Sequence, residues 1–150
     1  MKKKIFILLT AFIAILVISS NLTFAQGNKT VQYVKTISFK GGTCELYELQ
    51  KNSMFAPADM PQDHKAFMLR LKCTLKNDSD VSETLKVLYD KGEFVAPDGS
   101  RYKAGVSTLL NTDEGVIYSL IVGVPKSVDV GTLKFVYGNQ TMKLSKDEVK

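Results

Sequence analysis

The 150-residue sequence contains no tryptophan and only one histidine, two cysteines and four prolines. A single histidine excludes zinc motifs of the His-Glu-x-x-His type and His-rich zinc sites. Phosphate-binding glycine loops, dinucleotide fingerprints, Cys-x-x-Cys and the Gly-x-Ser-x-Gly element of serine hydrolases are also absent. We therefore predict that the protein is not an enzyme, has no catalytic residues and needs no cofactor. The alternative is an enzyme whose acid–base groups, with His64 among them, are brought together only by the fold.

The net charge is also low once the N-terminal segment is excluded. The whole chain has 20 basic and 15 acidic residues, a net charge of +5. Lys2, Lys3 and Lys4 belong to the first 25 residues, which hold no acid, so residues 26–150 carry 17 basic against 15 acidic side chains, a net +2. That is too little to make a nucleic-acid-binding surface, and we expect no nucleic-acid partner. The content of 45% hydrophobic and 23% charged residues excludes collagen and intrinsic disorder.

The first 25 residues have the three parts of a secretory signal peptide. Lys2–Lys4 form the basic start, Ile5–Ile18 the apolar run, and Thr23–Ala25 a cleavage site before Gln26. As a helix, the apolar run would span about 21 Å, less than the roughly 30 Å hydrocarbon core of a bilayer. We predict a signal-peptide helix over residues 1–25 and a secreted or periplasmic bacterial product. No stable membrane insertion is expected after signal cleavage.

Residues 26–150 are predicted to form one domain in which apolar residues recur with a period of two. The alternation is clearest over His64–Lys76, where the Leu-rich parity faces a core. Val116–Val124 is apolar on both parities, which is typical of a strand covered on both sides and closed by Pro125. Leu133–Leu144 is predicted as a hairpin. The alternation of Leu85, Val87 and Tyr89 predicts the start of another strand.

The connections between these segments favour an antiparallel fold. Pro97-Asp98-Gly99 predicts a tight turn, because proline presets φ and glycine accepts a positive φ. Lys51–Asp63 is the one long irregular connection. Short strands with turns between them, and no long helical stripe, predict an all-β antiparallel sandwich of about seven to nine strands.

Four motifs in a fixed order resemble a known family. They are an alternating strand with an Asn-rich turn (Phe67–Asn77), an Asp-Gly hairpin followed by an aromatic residue (Pro97–Tyr102), a strand ending in Val-Pro (Ile121–Pro125) and a Leu-x-Phe-x-Tyr strand (Leu133–Tyr137). Together they resemble the small immunoglobulin-like domain of secreted and lipid-anchored bacterial proteins of unknown function, relatives of the mycobacterial immunoprotective extracellular protein. The resemblance implies an immunoglobulin-like sandwich outside the cytoplasm and no agreed activity. Unlike the lipid-anchored members, this chain has no lipidation cysteine after its cleavage site.

Each of the two cysteines lies on the apolar side of its predicted strand. Cys44 lies on the same side of its predicted strand as Leu46, and Cys73 lies on the leucine-rich side of the strand His64–Lys76. Both side chains are therefore expected to point inward, and in an oxidising compartment an even number of cysteines favours a Cys44–Cys73 disulfide. The alternative is a pair of buried free thiols that pack as small hydrophobic residues.

Sulfur and imidazole side chains cluster around the long connection. Met54, Met60, His64 and Met68 are candidate ligands, because thioether and imidazole groups suit Cu(I). The alternatives are that methionine fills gaps in the core and that His64 is an ordinary loop residue.

Arg70, Lys72 and Lys76 share one strand face. They form either a solvated face that resists aggregation or a contact surface for anionic glycans or lipids. Loops at the ends of a sandwich usually carry recognition, and Lys51–Asp63 is the longest. We therefore expect a secreted, non-catalytic binding or interaction module of a bacterial cell envelope, with a protein or glycan ligand outside the cytoplasm. The alternative is periplasmic Cu(I) binding through the Met/His loop.

Overall fold

The computed structural model describes residues 31–77 and 80–145. Within these residues one α helix, α1 (Val81–Lys91), and a short 3-10 turn (Val130–Thr132) accompany nine strands. The strands are β1 (Thr36–Phe39), β2 (Gly42–Gln50), β3 (His64–Leu75), β4 (Glu93–Val95), β5 (Arg101–Tyr102), β6 (Val106–Thr112), β7 (Gly115–Pro125), β8 (Lys134–Tyr137) and β9 (Gln140–Lys143). The predicted signal peptide (residues 1–25) lies outside the described residues.

The strands form two sheets. One has five strands in the order β1-β2-β3-β7-β6, and the other has four in the order β5-β4-β8-β9. Every strand pair in both sheets is antiparallel. The predicted all-β antiparallel sandwich is therefore confirmed, and nine strands is the upper end of the predicted range. In the part of the chain that the structure describes, no helix is long and apolar enough to cross a bilayer.

A shared core lies between the two sheets. The rings of Phe67 (β3) and Phe94 (β4) meet edge to face with centroids 5.2 Å apart, and Phe94 and Phe135 (β8) are also 5.2 Å apart. All three side chains are fully buried. Such aromatic pairs add about 0.5–1.5 kcal/mol each beyond the burial of their area. This row of rings fastens the five-stranded sheet to the four-stranded one.

The prediction of a strand that begins with Leu85, Val87 and Tyr89 is wrong, because these residues belong to helix α1. Leu85 and Leu88 are fully buried in the core, whereas Val87 and Tyr89 are only partly buried. The alternation of residues 85, 87 and 89 is therefore a coincidence within a helical stripe. One helix crosses between the sheets where a strand was expected.

Local signals in the sequence explain why this segment is helical. The carboxylate of Asp80 accepts hydrogen bonds from the backbone N–H groups of Ser82 (3.1 Å) and Glu83 (3.2 Å), which caps the first turn. Val81 precedes Leu85 and Leu88 at helical spacing, which places all three on one face. The helix ends at Lys91, before Gly92.

The cysteines form a disulfide across neighbouring strands. Cys44 of β2 lies directly opposite Cys73 of β3 in the ladder, with their Cα atoms 4.1 Å apart. Both side chains are 1% exposed and belong to the core. The predicted Cys44–Cys73 bridge is confirmed, so the alternative of two free thiols is wrong. The bridge joins the ends of the hairpin arms farthest from the loop that links β2 to β3.

The predicted turns are confirmed at two glycines. Gly99 has φ +89°, and its N–H donates to the carbonyl oxygen of Ala96 (2.9 Å), which closes the turn between β4 and β5. Gly138, with φ +60°, lies in the β8–β9 turn, where Tyr137 pairs with Gln140. Positive φ angles favour glycine, which has no Cβ to clash.

Candidate functional site

The connection between β2 and β3, Lys51–Asp63, is the longest irregular segment of the described residues and is here called the β2–β3 loop. Backbone hydrogen bonds hold both of its ends. The N–H of Ser53 donates to the carbonyl of Ala66 (2.8 Å), and the carbonyl of Asp63 accepts from the N–H of Lys126 (3.0 Å). Inside the loop, the N–H of Met60 donates to Pro57 (3.2 Å). The loop is therefore an anchored element.

The second half of the loop packs against the face of the five-stranded sheet that points away from the main core. Two glycines make room for it. A Cβ at Gly105 would lie 2.7 Å from Pro57 side-chain atoms, and a Cβ at Gly123 would lie 3.1 Å from Cγ of Met60. Met60 also packs with Val106 against a small buried cluster of Ala66, Met68 and Ile121. A side chain at position 105 would collide with Pro57, and one at position 123 would press on the side chain of Met60.

The first half of the loop projects into solvent. Met54 is 97% exposed and Phe55 is 65% exposed. The hydroxyl of Ser53 accepts a hydrogen bond from the N–H of Phe55 (3.1 Å), which fixes the backbone at the tip. Single exposed apolar residues are common on protein surfaces, but two adjacent ones at the tip of an anchored loop form a compact apolar contact point. Covering such side chains recovers about 1.5–3 kcal/mol each.

An open groove of about 450 Å³ lies beside the loop. Its walls come from the second half of the loop, from β7 through Gly123 and from the segment that leads into β6 through Lys103 and Val106. His64 also lines it. Asp59 lines it as well, so the groove combines apolar side chains with one imidazole, one ammonium and one carboxylate group.

The imidazole of His64 is hydrogen-bonded to the preceding residue, Asp63. Its Nδ1 lies 2.8 Å from Oδ1 of Asp63, and because a carboxylate can only accept, Nδ1 carries the proton. This hydrogen bond lowers the pKa of Asp63 below its ordinary value. Asp63 is exposed, and a pair of this kind between neighbouring residues holds the ring in place. Across residues 31–77 and 80–145, no three histidine, cysteine, aspartate or glutamate residues cluster as a metal site would require.

The four candidate Cu(I) ligands are brought together only in part. Met60 and His64 line the same groove, and Met60 packs against the buried cluster that contains Met68. Met54 lies at the exposed tip, in the other half of the loop. The packing of Met60 and Met68 also agrees with the simpler interpretation of both as gap-filling residues.

Two of the three basic residues predicted on this strand face, Arg70 and Lys72, are paired with acids, and Lys76 is exposed. Arg70 donates through Nη1 to Oε2 of Glu48 (2.9 Å), and Lys72 donates through Nζ to Oε2 of Glu114 (3.0 Å). The carboxylate of Glu114 raises the pKa of Lys72. These ion pairs favour a solvated, internally paired face over a surface for anionic glycans.

Sequence reasoning found the loop but missed the residues that define its shape. Phe55 is not among the residues predicted from the sequence, although Met54 and Phe55 form an adjacent apolar pair after the polar Asn52-Ser53, which is a signal of an exposed apolar tip. Gly105 and Gly123 were missed because only the folded chain brings Pro57 and Met60 over them.

Comparison of the chain with protein-family models, with curated proteins and with solved structures finds no match in any of the three. The likeness to the immunoglobulin-like bacterial family therefore stays a resemblance of sequence motifs. The site has to be interpreted from its own geometry, and that geometry is an apolar loop tip on an anchored base.

Proposed function

We propose that this protein is a secreted, non-catalytic binding module of a bacterial cell envelope that recognises a protein partner through Met54 and Phe55. The observation that carries the proposal is the exposure of both side chains at the tip of a loop whose base is hydrogen-bonded and packed. Aromatic residues and methionine are enriched in protein–protein interfaces. A protein partner suits this tip better than a glycan, because the exposed groups are apolar side chains with few hydrogen-bonding atoms.

The anchored base matters for affinity. A loop held by the bonds of Ser53 and Asp63 and by the packing of Pro57 and Met60 has already lost much of its conformational freedom before binding. Ordering a free loop on binding would cost about 0.5–1.5 kcal/mol for each immobilised side chain. Binding therefore has to order the side chains of Met54 and Phe55 but less of the loop backbone than in an unanchored loop.

An extracytoplasmic location is part of the proposal. The buried Cys44–Cys73 disulfide supports it, because disulfides persist in oxidising compartments. The signal-peptide pattern over residues 1–25 and the resemblance to exported immunoglobulin-like domains point the same way.

The proposal is tested by capture from envelope or host-surface material. The purified protein is immobilised, and bound proteins are identified by mass spectrometry and then titrated individually against it. Met54→Ser with Phe55→Ser should weaken binding of the captured partner at least tenfold, since interface anchors are worth about 1–2 kcal/mol or more each. The matched control is Tyr47→Ser, which removes an aromatic side chain that is 47% exposed on β2.

The control should bind as the unaltered protein does. Equal binding by the tip variant and the unaltered protein would refute the assignment of the loop, and equal losses in the tip variant and in Tyr47→Ser would show that the effect is not specific to the tip.

The base of the loop can be tested separately. Gly123→Val places methyl groups where Met60 packs and should lift the second half of the loop while leaving Met54 and Phe55 in the chain. We expect weaker partner binding, and recovery when Met60→Ala restores the space. Binding that is indifferent to Gly123→Val would show that the anchoring has no role.

A second candidate function is Cu(I) binding in the groove, favoured by one observation: Met60 and His64 line it together. Competition against a Cu(I) chelator should then show tight binding that His64→Ala weakens. Met54→Ser is the matched control, because Met54 is 97% exposed on the other half of the loop. A His64→Ala protein that competes as well as the unaltered one would rule this function out.

A further inference from the structure

Strand β6 forms one edge of the five-stranded sheet. All seven of its residues pair with β7, from Val106 opposite Ile121 to Thr112 opposite Gly115. Among the described residues, no strand pairs with its other side. Alternate residues of β6 therefore turn their N–H and C=O groups outward, where they can pair with a further strand.

This edge lacks the features that usually prevent strands from pairing with other chains. Its sequence, Val-Ser-Thr-Leu-Leu-Asn-Thr, has no charge and no proline, and its ladder with β7 has no register shift. The other edge strands differ: β5 contains Arg101 and β9 contains Lys143, and the backbone N–H and C=O of Ser38 in β1 are hydrogen-bonded to the side chain of Gln140. Leu110, near the middle of β6, is 61% exposed.

The two ends of β6 carry opposite charges. Lys103 precedes the strand, whereas Asp113 and Glu114 follow it, and all three are exposed. Glu114 also pairs with Lys72 of its own chain, so Asp113 supplies the acidic charge at this end. In an antiparallel pair of identical strands, the start of each strand lies beside the end of the other. A two-fold axis at Leu109 would place Lys103 of each copy beside the acidic turn of the other, so the edge is complementary to itself in charge.

We propose that β6 is a self-association edge, at which two copies of this chain pair their β6 strands antiparallel. The two five-stranded sheets then become one continuous sheet of ten strands. With the axis at Leu109, Val106 lies opposite Thr112 of the second copy and Leu110 opposite Thr108 of the second copy. The interface is isologous, as expected for a two-fold dimer.

The dimer is expected to be weak. Seven residues of paired strand, about 23 Å long, with one exposed leucine from each copy, make an interface at the small end of the range for specific complexes. A dissociation constant in the micromolar range is therefore expected. The occupant is a second copy because both the uncharged centre and the opposite charges at the ends match in that arrangement.

Sedimentation equilibrium over a concentration series tests the proposal, with the N-terminus of the purified protein identified first by intact mass. We expect a monomer–dimer equilibrium. Thr108→Lys puts a charge in the middle of the edge and should raise the dissociation constant about tenfold or more. The matched control is Thr36→Lys, at an exposed position on the opposite edge strand β1, which should leave the equilibrium unchanged.

A charge-reversal pair makes the test specific to the proposed register. Lys103→Glu should weaken the dimer, and adding Asp113→Lys should restore it, because position 103 of one copy is a diagonal neighbour of position 113 of the other, within reach of a long side chain. A protein that stays monomeric up to about 1 mM would overturn the proposal, as would a dimer that is indifferent to Thr108→Lys.

Hydrogen exchange provides a readout that does not depend on variants. The outward N–H groups of β6 should exchange quickly in dilute protein and more slowly as the concentration rises, while amides of β1 stay unchanged. Exchange of β6 that is independent of concentration where a dimer is present would place the interface elsewhere. The β2–β3 loop tip is not part of this edge, so the outcome is separate from that of the partner-binding experiment.

Discussion

Reduction of the Cys44–Cys73 disulfide should lower the melting temperature by about 14 °C. The bridge joins residues 29 apart in sequence, and the chain-entropy model gives about 3.6 kcal/mol for a closed loop of that length. A domain of about 120 residues has an entropy of unfolding of about 250 cal/mol/K, which converts that free energy into the stated shift. The native packing changes little, because both sulfur atoms stay in the core.

The assay compares thermal unfolding by far-UV circular dichroism with and without reductant. Because both cysteines are 1% exposed, the protein must be unfolded in reductant and refolded before the scan. The matched control is Cys44→Ala with Cys73→Ala, whose melting temperature should be low and insensitive to reductant. A shift below about 3 °C in the unaltered protein, or two thiols that alkylate without reductant, would refute the reasoning.

Three further predictions concern the helix cap and two titrating groups. Asp80→Ala removes the acceptor for two N–H groups of α1 and should lower the free energy of unfolding by about 1 kcal/mol, measured by urea titration. His64→Ala should bring the lowered pKa of Asp63 back toward its ordinary value in an NMR titration of the carboxyl group; the lowered pKa means that this side chain favours the folded state at neutral pH and ceases to do so as the pH falls through its folded pKa. Burial raises the pKa of Tyr118, so its phenolate should appear at higher pH than that of an unperturbed tyrosine in an ultraviolet titration, and its contribution to stability is lost as the pH rises through that raised value.

The sequence predicted those parts of the fold in which local pattern and tertiary packing agree. His64–Lys76 alternates most clearly from Leu69 onward, and the structure places β3 at the centre of the larger sheet. Gly99 and Gly138 lie in the expected turns, since each stands between two predicted strand segments, where a turn favours glycine. The parity of Cys44 and Cys73 was correct because both belong to strands with one face toward the core.

The main error was the helix. Leu85, Val87 and Tyr89 alternate as strand residues would, but Asp80 and the spacing of Val81, Leu85 and Leu88 favour a helix more strongly. Short apolar segments fit both periods, and the capping residue decides between them. A search for start signals before counting the period would have found α1.

The candidate site was predictable as a segment and unpredictable in its shape. Lys51–Asp63 was identified from its length and lack of alternation. Which of its apolar residues would be covered depends on Gly105 and Gly123, which are far from the loop in sequence. No local pattern reports a contact of that kind, so the division into a packed half and a projecting half required the folded chain.

The position of the disulfide determines what a proteolytic cut in the β2–β3 loop does to the protein. Residues 45–72, including the projecting tip at Met54, lie between Cys44 and Cys73. A single cut anywhere in that stretch would yield two polypeptides that stay covalently joined and share the same buried rings. Nicked molecules would therefore run as one species on a non-reducing gel and separate only after reduction, and the framework would outlast damage to its most accessible segment.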